Sequence, residues 1–262
     1  MFPCLQKFKH LETKRCPVPF LRRALGGQSE ERALIAKETL QEFGYCRLSG
    51  VGDGDLVPLA ESLGRVTVDR RHPVPVRRIH PQDASTANPN TLSSRFGLGR
   101  FPFHTDAAHW RTPPRYVLLH CMSAGSGGRP TLLVDTAAFE LLAPTRGILR
   151  RAVWKTAHRT PFLCTVLADD LPQGRWRYDL GCMSPWSPAA REASEFMCAC
   201  IGDASPLLVN WMPGDLLVID NWRMLHARGV TAVRDCDRLI CRVLVGGSQD
   251  EELGLRTTVA EG

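Results

Sequence analysis

A chain of 262 residues, 44% apolar and 23% charged, is long enough to bury a substantial core and has the composition of an ordinary globular protein. No apolar run approaches the roughly 20 residues that span a bilayer, and the opening MFPCLQKFKHLETKR lacks the apolar core of a secretory signal. The net charge of +6 comes mainly from scattered arginines, since only five of the 33 basic residues are lysine; with no nucleic-acid motif present, no nucleic-acid partner and no membrane association are expected. Ten cysteines form no C-x-x-C pair, and several sit in apolar runs, such as Cys121 in YVLLHCM and Cys241 in RLICRVLV. Such cysteines behave as small free hydrophobes in a reducing compartment, so the expected location is the cytoplasm.

In chain order, SEERALIAKETLQEF (29–43) opens with a capping serine and two acids, continues at helical spacing and stops at Gly44, which predicts a helix. YCRLSG reads as a short strand and DLVPLAESLG as a second helix. Residues 66–100 are rich in Pro, Asn and Ser and read as mostly irregular, the pattern of an active-site lid. Beyond residue 101 the chain turns to short strands: RYVLLHCM, a turn at SAGSGGRP, TLLVD, PLLVNW, DLLVID and RLICRVLVG. A helix is expected near AAREASEFMCACI. Many short strands with Gly/Pro turns, preceded by helices, give the expected fold class: mainly β with flanking helices around a jelly-roll core. No repeat or linker divides the chain, so residues 1–262 read as one domain.

The chemistry concentrates in PFHTDAAHW. His104 and Asp106 are two apart, so in an extended strand both point to one face, and His109 falls on the other. His226, just after the apolar strand in VIDNWRMLHARGV, offers a third ligand. Two imidazoles and one carboxylate make the facial set of non-haem Fe(II) oxygenases, because three ligands on one side of the ion leave positions for cosubstrate and oxygen. Each residue also has a bland reading: His104 as a satisfied core histidine, Asp106 as a turn or cap, His226 as incidental. His120, inside YVLLHCM, reads as a core group, and Trp110, Trp186, Trp211 and Trp222 as core residues or pocket lining.

The last strand adds a second constraint. In DRLICRVLVG, Leu239, Cys241, Val243 and Val245 form a uniformly apolar face, and Arg238, Ile240, Arg242 and Leu244 share the other. If the apolar face packs into the core, two guanidiniums point into the barrel mouth, where an unpaired charge costs several kcal/mol. Anionic partners offset that cost, and the planar guanidinium fork matches a carboxylate. The alternative is a surface strand with two solvated arginines.

HTD, GGRPT with its threonine 27 positions after His104, DNWRMLHAR and R-x-x-x-R together resemble the taurine dioxygenase-like family of Fe(II)/2-oxoglutarate-dependent oxygenases, over roughly residues 30 to 246. The resemblance implies a double-stranded β-helix core. It makes His104, Asp106 and His226 the metal ligands and catalytic centre, with Fe(II), 2-oxoglutarate and dioxygen as cofactor and cosubstrates. Thr131 then matches the threonine that hydrogen-bonds a 2-oxoglutarate carboxylate, and Arg238 the arginine that pairs with its other end. Arg242 matches a second arginine near the cosubstrate and, in some members, the substrate. The usual H-G-R after the distal histidine reads His-Ala-Arg here, and Arg228 within it is expected to form a structural ion pair. Arg100, in the variable GLGRFPF segment, is a candidate substrate contact.

The implied activity is hydroxylation of an unactivated C–H bond in a small carboxylate-bearing molecule, such as an amino acid or derivative. Retention of Asp106 argues against halogenation, which needs a small residue there to admit halide. The two alternatives are a zinc-dependent hydrolase on the same three ligands and a non-catalytic binding module of the same fold. The hydrolase leaves Thr131 and the inward arginines without a role, and the binding module leaves an intact metal set unused.

Overall fold

The computed structural model describes residues 29–68, 73–89, 91–139, 143–157, 160–168, 174–231 and 235–246. The opening segment and the side chain of the expected cap Ser29 lie outside the described residues. The chain begins with α1 (Ser29–Phe43), β1 (Tyr45–Leu48) and α2 (Leu56–Leu63), followed by the short strands β2 (Val66–Thr67) and β3 (Arg77–Ile79) and the helix α3 (Leu92–Phe96). Next come β4 (Tyr116–Ser123), β5 (Thr131–Asp135), α4 (Ala143–Arg151) and five strands of two or three residues. These are β6 (Trp154–Thr156), β7 (Leu163–Cys164), β8 (Leu167–Ala168), β9 (Arg175–Trp176) and β10 (Met183–Pro185). The chain then runs through α5 (Pro188–Asp203), β11 (Leu207–Val209), β12 (Leu216–Asp220), β13 (Met224–Arg228) and β14 (Leu239–Val245).

Strands β1, β12, β4 and β14 form the main sheet in that order, with β2 and β3 both pairing to β14; β11, β5 and β13 form a second antiparallel sheet. The alternation read from the last strand holds. Cys241, Val243 and Val245 pack with Leu118, Leu216 and Val218 against the buried faces of α1 and α2. Ile240 and Leu244 point the other way, into a cluster with Val117, Leu119, Leu133 and Trp211 that fills the space between the sheets. Period-two burial on β14 therefore turns Arg238 and Arg242 toward the interior of the jelly roll. A third apolar cluster packs the outer face of the second sheet, through Leu132, Val134, Leu225 and Ala227, onto α4 and α5.

Local chemistry accounts for most element ends. Ser187 accepts from Ala190 N at 3.2 Å and Pro188 opens α5, where its missing N–H costs nothing. Thr91 caps α3 in the same way, accepting from Ser94 N at 3.3 Å. The turn between β4 and β5 needs its glycines. Gly125 has φ +76°, and a Cβ there would press on the Asp235 carboxylate and lie 2.9 Å from Arg238 Cβ.

Two expectations change. Residues 66–100 are not structureless, since β3 pairs with β14 (Arg77 opposite Arg242) and α3 follows; residues 69–72 and 90 lie outside the described residues. The free-cysteine expectation holds for Cys46, Cys121 and Cys241, which are buried, but not for Cys198, which is disulfide-bonded. Among the described residues no helix is long and apolar enough to cross a membrane.

Candidate metal and cosubstrate site

His104 sits at an isolated antiparallel bridge to His226, and each backbone N–H donates to the other's carbonyl at 3.0 Å. Because His226 belongs to β13, this bridge carries His104 onto the edge of the second sheet and stacks the imidazoles with centroids 4.4 Å apart. The chain then leaves the extended conformation at a turn over 106–109, with Ala107 at φ +53°. That turn brings Asp106 Oδ1 to 3.7 Å from His104 Nε2 and 3.8 Å from His226 Nε2. It also overturns one expectation: His109 is not directed away, but lines the same cavity as His104 and Asp106, because the strand does not continue past the bridge.

The donor set fits a metal ion. One ligand atom from each of the three residues lies within 4.8 Å of the others, and all three residues are buried. The Nε2-to-carboxylate separations are longer than ordinary hydrogen bonds yet short enough for the three groups to share one ion. His104 Nδ1 lies 2.9 Å from Pro102 O, which can only accept, so the proton sits on Nδ1 and the Nε2 lone pair faces Asp106. Burial depresses the His226 pKa to about 3, helped by the neighbouring His104, and so keeps this imidazole neutral and available as a ligand. Burial also opposes charge on His104, but the carboxylates of Asp106 and Asp179 outweigh it and raise its pKa. For Asp106 burial would favour protonation; the Arg242 guanidinium and the two imidazoles overcome it and hold the carboxyl far below its usual range.

Asp106 is fixed from two sides. Arg242 donates from Nη1 to Asp106 Oδ2 at 2.9 Å, leaving Oδ1 toward the histidines. Asn221, fully buried, accepts from Asp106 N at 2.7 Å and donates from Nδ2 to Asp106 O at 3.1 Å and Pro114 O at 2.9 Å. The following loop is held by Arg177, which donates to the carbonyls of Ala108, Trp110 and Arg111 at 2.6–2.9 Å. Neither Asn221 nor Arg177 was singled out from sequence. Their sequence settings, DNW just after an apolar strand and the charged RWRYD, carry no signal that sets either residue apart.

Thr131 and Arg238 lie together elsewhere in the barrel. Thr131 Oγ1 accepts from Trp211 Nε1 at 3.1 Å, which leaves its own O–H free to donate. The Arg238 guanidinium lies 5.8 Å from the centre of the Trp211 ring, and burial pulls its pKa down to about 10. Arg238 is 7% exposed, its Nε has no partner, and no carboxylate among the described residues forms an ion pair with it. A buried cation beside a free hydroxyl is a cradle for a carboxylate.

A cavity of about 320 Å³ opens over the triad, walled by residues 77–93 on one side and by Trp110, Asp179 and Arg242 on the others. Arg100 is not part of that wall; its guanidinium lies 5.7 Å from the Phe103 ring centre. Arg228 is structural as expected, but through carbonyls rather than an ion pair. It bonds Gly97 O and Gly99 O and covers the Phe101 ring at 3.5 Å, which steadies the approach to His104. His120 is a buried core histidine only half satisfied: Nε2 donates to Val51 O at 2.9 Å, while Nδ1, 3.8 Å from Asp53 Oδ1, makes no hydrogen bond among the described residues. Of the tryptophans, Trp222 and Trp211 are buried, Trp110 lines the cavity and Trp186 is exposed.

The model of the "Taurine catabolism dioxygenase TauD, TfdA family" matches residues 24–158, more than half of the chain. The chain belongs to the TauD/TfdA family. It is 30% identical to clavaminate synthase 2 of Streptomyces clavuligerus over 178 residues, covering 62% of this chain and 54% of that one. To the gamma-butyrobetaine dioxygenase of Homo sapiens it is 24% identical over 241 residues, 76% of this chain and 56% of that one. The chain thus spans about half the length of the curated relatives it matches. Among solved structures, the non-heme iron oxygenase OrfP in complex with Fe and alpha-ketoglutaric acid superimposes with a TM-score of 0.69 at 20% identity, over 84% of this chain and 81% of that one. Asparagine oxygenase in complex with Fe(II), 3-hydroxyasparagine and succinate does so with a TM-score of 0.67 at 19% identity, over 84% and 80%. These likenesses establish the jelly-roll core of this TauD/TfdA chain.

Proposed function

We propose that this TauD/TfdA protein is an Fe(II)- and 2-oxoglutarate-dependent dioxygenase that hydroxylates an unactivated C–H bond of a small carboxylate-bearing molecule, such as an amino acid or derivative. The observation that carries the proposal is the pairing of a buried His104–Asp106–His226 set with a separate buried guanidinium, Arg238, that forms no ion pair among the described residues. A hydrolase on the same three ligands leaves that cradle without a task. His104, Asp106 and His226 would hold Fe(II), which supplies the activation of dioxygen when 2-oxoglutarate is bound beside it.

The remaining steps belong to the chain's own residues. Both residues flank Trp211, so they would share one carboxylate of 2-oxoglutarate rather than take opposite ends: Arg238 forks it while Thr131, whose oxygen already accepts from Trp211, donates its hydroxyl proton to it. Arg242 neutralises the outer oxygen of Asp106 with Nη1 and also lines the cavity, so its other terminal nitrogen would serve the substrate carboxylate. Described residues of the 66–100 segment form the cavity wall, and closing it over bound substrate would exclude water from the reaction. His109 lines the cavity and would meet the substrate, whereas Arg100, outside that lining, has no substrate contact in this reading. The setting we propose is the cytoplasm, and the partner an anionic small molecule. Anaerobic loading with Fe(II) and 2-oxoglutarate, followed by oxygen and a screen of carboxylates for stimulated succinate release, tests the proposal. Zinc-supported hydrolysis without succinate would replace it.

A further inference from the structure

One buried carboxylate on the cavity wall has no ion-pair partner among the described residues. Asp179 is 8% exposed and lines the cavity over the triad. Its Oδ1 accepts from Gly181 N at 2.6 Å and its Oδ2 from Cys182 Sγ at 3.2 Å, both neutral donors. No cation among the described residues pairs with it. Of the nearby arginines, Arg177 is held by the carbonyls of 108, 110 and 111, Arg95 by Leu180 O, and Arg242 through Nη1 by Asp106, while Arg77 and Arg78 line the same cavity without an ion pair to Asp179. A buried carboxylate without counter-charge is costly, and it persists where a partner arrives from outside.

From this we infer that Asp179 is the subsite for a protonated nitrogen of the substrate, so that the molecule taken here is a zwitterion carrying a primary ammonium or a guanidinium as well as its carboxylate. The inference rests on the oxygenase reading of the same cavity and narrows its substrate class. An ionised carboxylate offers about four lone-pair sites, of which Gly181 and Cys182 use two. The remaining two accept N–H donors, which a primary ammonium or a guanidinium supplies and a quaternary ammonium does not. Quaternary groups bind on aromatic faces instead, and among the described residues the cavity presents only Phe101 and Trp110 of that kind. Arg242, on the same wall, takes the opposite end of the zwitterion. Two fixed charges of opposite sign orient one molecule in one direction over the metal ligands, as selective oxidation of a single carbon requires.

The test compares binding of paired probes to anaerobic protein loaded with Fe(II) and 2-oxoglutarate, read by the fluorescence of Trp110 and its neighbours. The probes are the common free amino acids, each against its counterpart with the amine acetylated; arginine is also compared with citrulline. At least one free compound should bind ten times or more tightly than its neutral-nitrogen counterpart. In Asp179→Asn, which keeps the acceptor for Gly181 N, that preference should collapse to within about twofold. A wild-type protein that never prefers the charged nitrogen overturns the inference, and so does an Asp179→Asn protein that keeps the preference. The wild-type comparison decides alone if the variant does not fold. Succinate formation without added substrate is measured in parallel on the wild-type protein, so that failure of the oxygenase reading shows up separately from failure of the Asp179 assignment.

Discussion

Replacing Asn221 with alanine removes no metal ligand, yet it should damage the metal site. Its side chain makes three buried hydrogen bonds, one from Asp106 N at 2.7 Å and two to the carbonyls of Asp106 and Pro114 at 3.1 and 2.9 Å. Alanine leaves one N–H and two carbonyls without these partners at a fully buried position. Each orphaned group costs about 1–3 kcal/mol, and partial access by water brings the sum to roughly 3 kcal/mol. Because two of the three groups belong to Asp106, the loss also loosens a ligand, and partners of this kind are worth about 10–100-fold in metal affinity. Urea unfolding of the metal-free protein measures the first quantity, and calorimetric titration with Fe(II) or Mn(II) under anaerobic conditions measures the second. Asn221→Asp restores only the acceptor and adds a charge beside Asp106, so it should not rescue either. A stability loss below about 1 kcal/mol with unchanged metal affinity would refute the reasoning.

Arg238→Ala leaves the cosubstrate carboxylate without its buried cation, so the apparent KM for 2-oxoglutarate should rise at least tenfold, in line with about 2–5 kcal/mol for truncated buried pairs. Arg238→Lys should recover little, and an unchanged KM in either variant would move the role to another residue. Arg177→Met keeps the stem but withdraws the donors from the carbonyls of 108, 110 and 111. Unfolding in urea should show a loss of about 2–4 kcal/mol, and a loss near zero would mean that the loop holds itself. Limited proteolysis should cut within residues 73–89 fastest in the metal-free protein and slowest with metal, 2-oxoglutarate and substrate together. Equal protection in every state would make the segment a fixed wall.

The parts of this protein written in short periods were readable from its sequence. The alternation in RLICRVLVG predicted which face of β14 meets the helices, and therefore that Arg238 and Arg242 turn inward. Helices α1, α2 and α5 and the strands around them follow from the spacing of their apolar residues. Helix α4 was missed because APTRGILRR carries a proline and a glycine, yet the proline sits in the first turn, where it breaks no bond. What depended on distant contacts was not legible. The direction of His109 follows from the turn at Ala107, and that turn is held by Arg177 and Asn221, which lie far along the chain just after β9 and β12. The role of Arg242 was only half visible, since its inward face could be read but its bond to Asp106 could not. The 66–100 segment looked structureless because three residues of β3 gain their pairing only from β14.

The central claim is that His104, Asp106 and His226 hold one metal whose use of 2-oxoglutarate depends on all three. Release of carbon dioxide from carboxyl-labelled 2-oxoglutarate, measured with and without Fe(II) in the wild-type protein and in His104→Ala, Asp106→Ala and His226→Ala, tests it most directly. The account predicts Fe(II)-dependent release by the wild-type protein and none above background in each variant, with all four proteins melting as folded domains. Release that persists in Asp106→Ala, or that is absent from the iron-loaded wild-type protein, would contradict it.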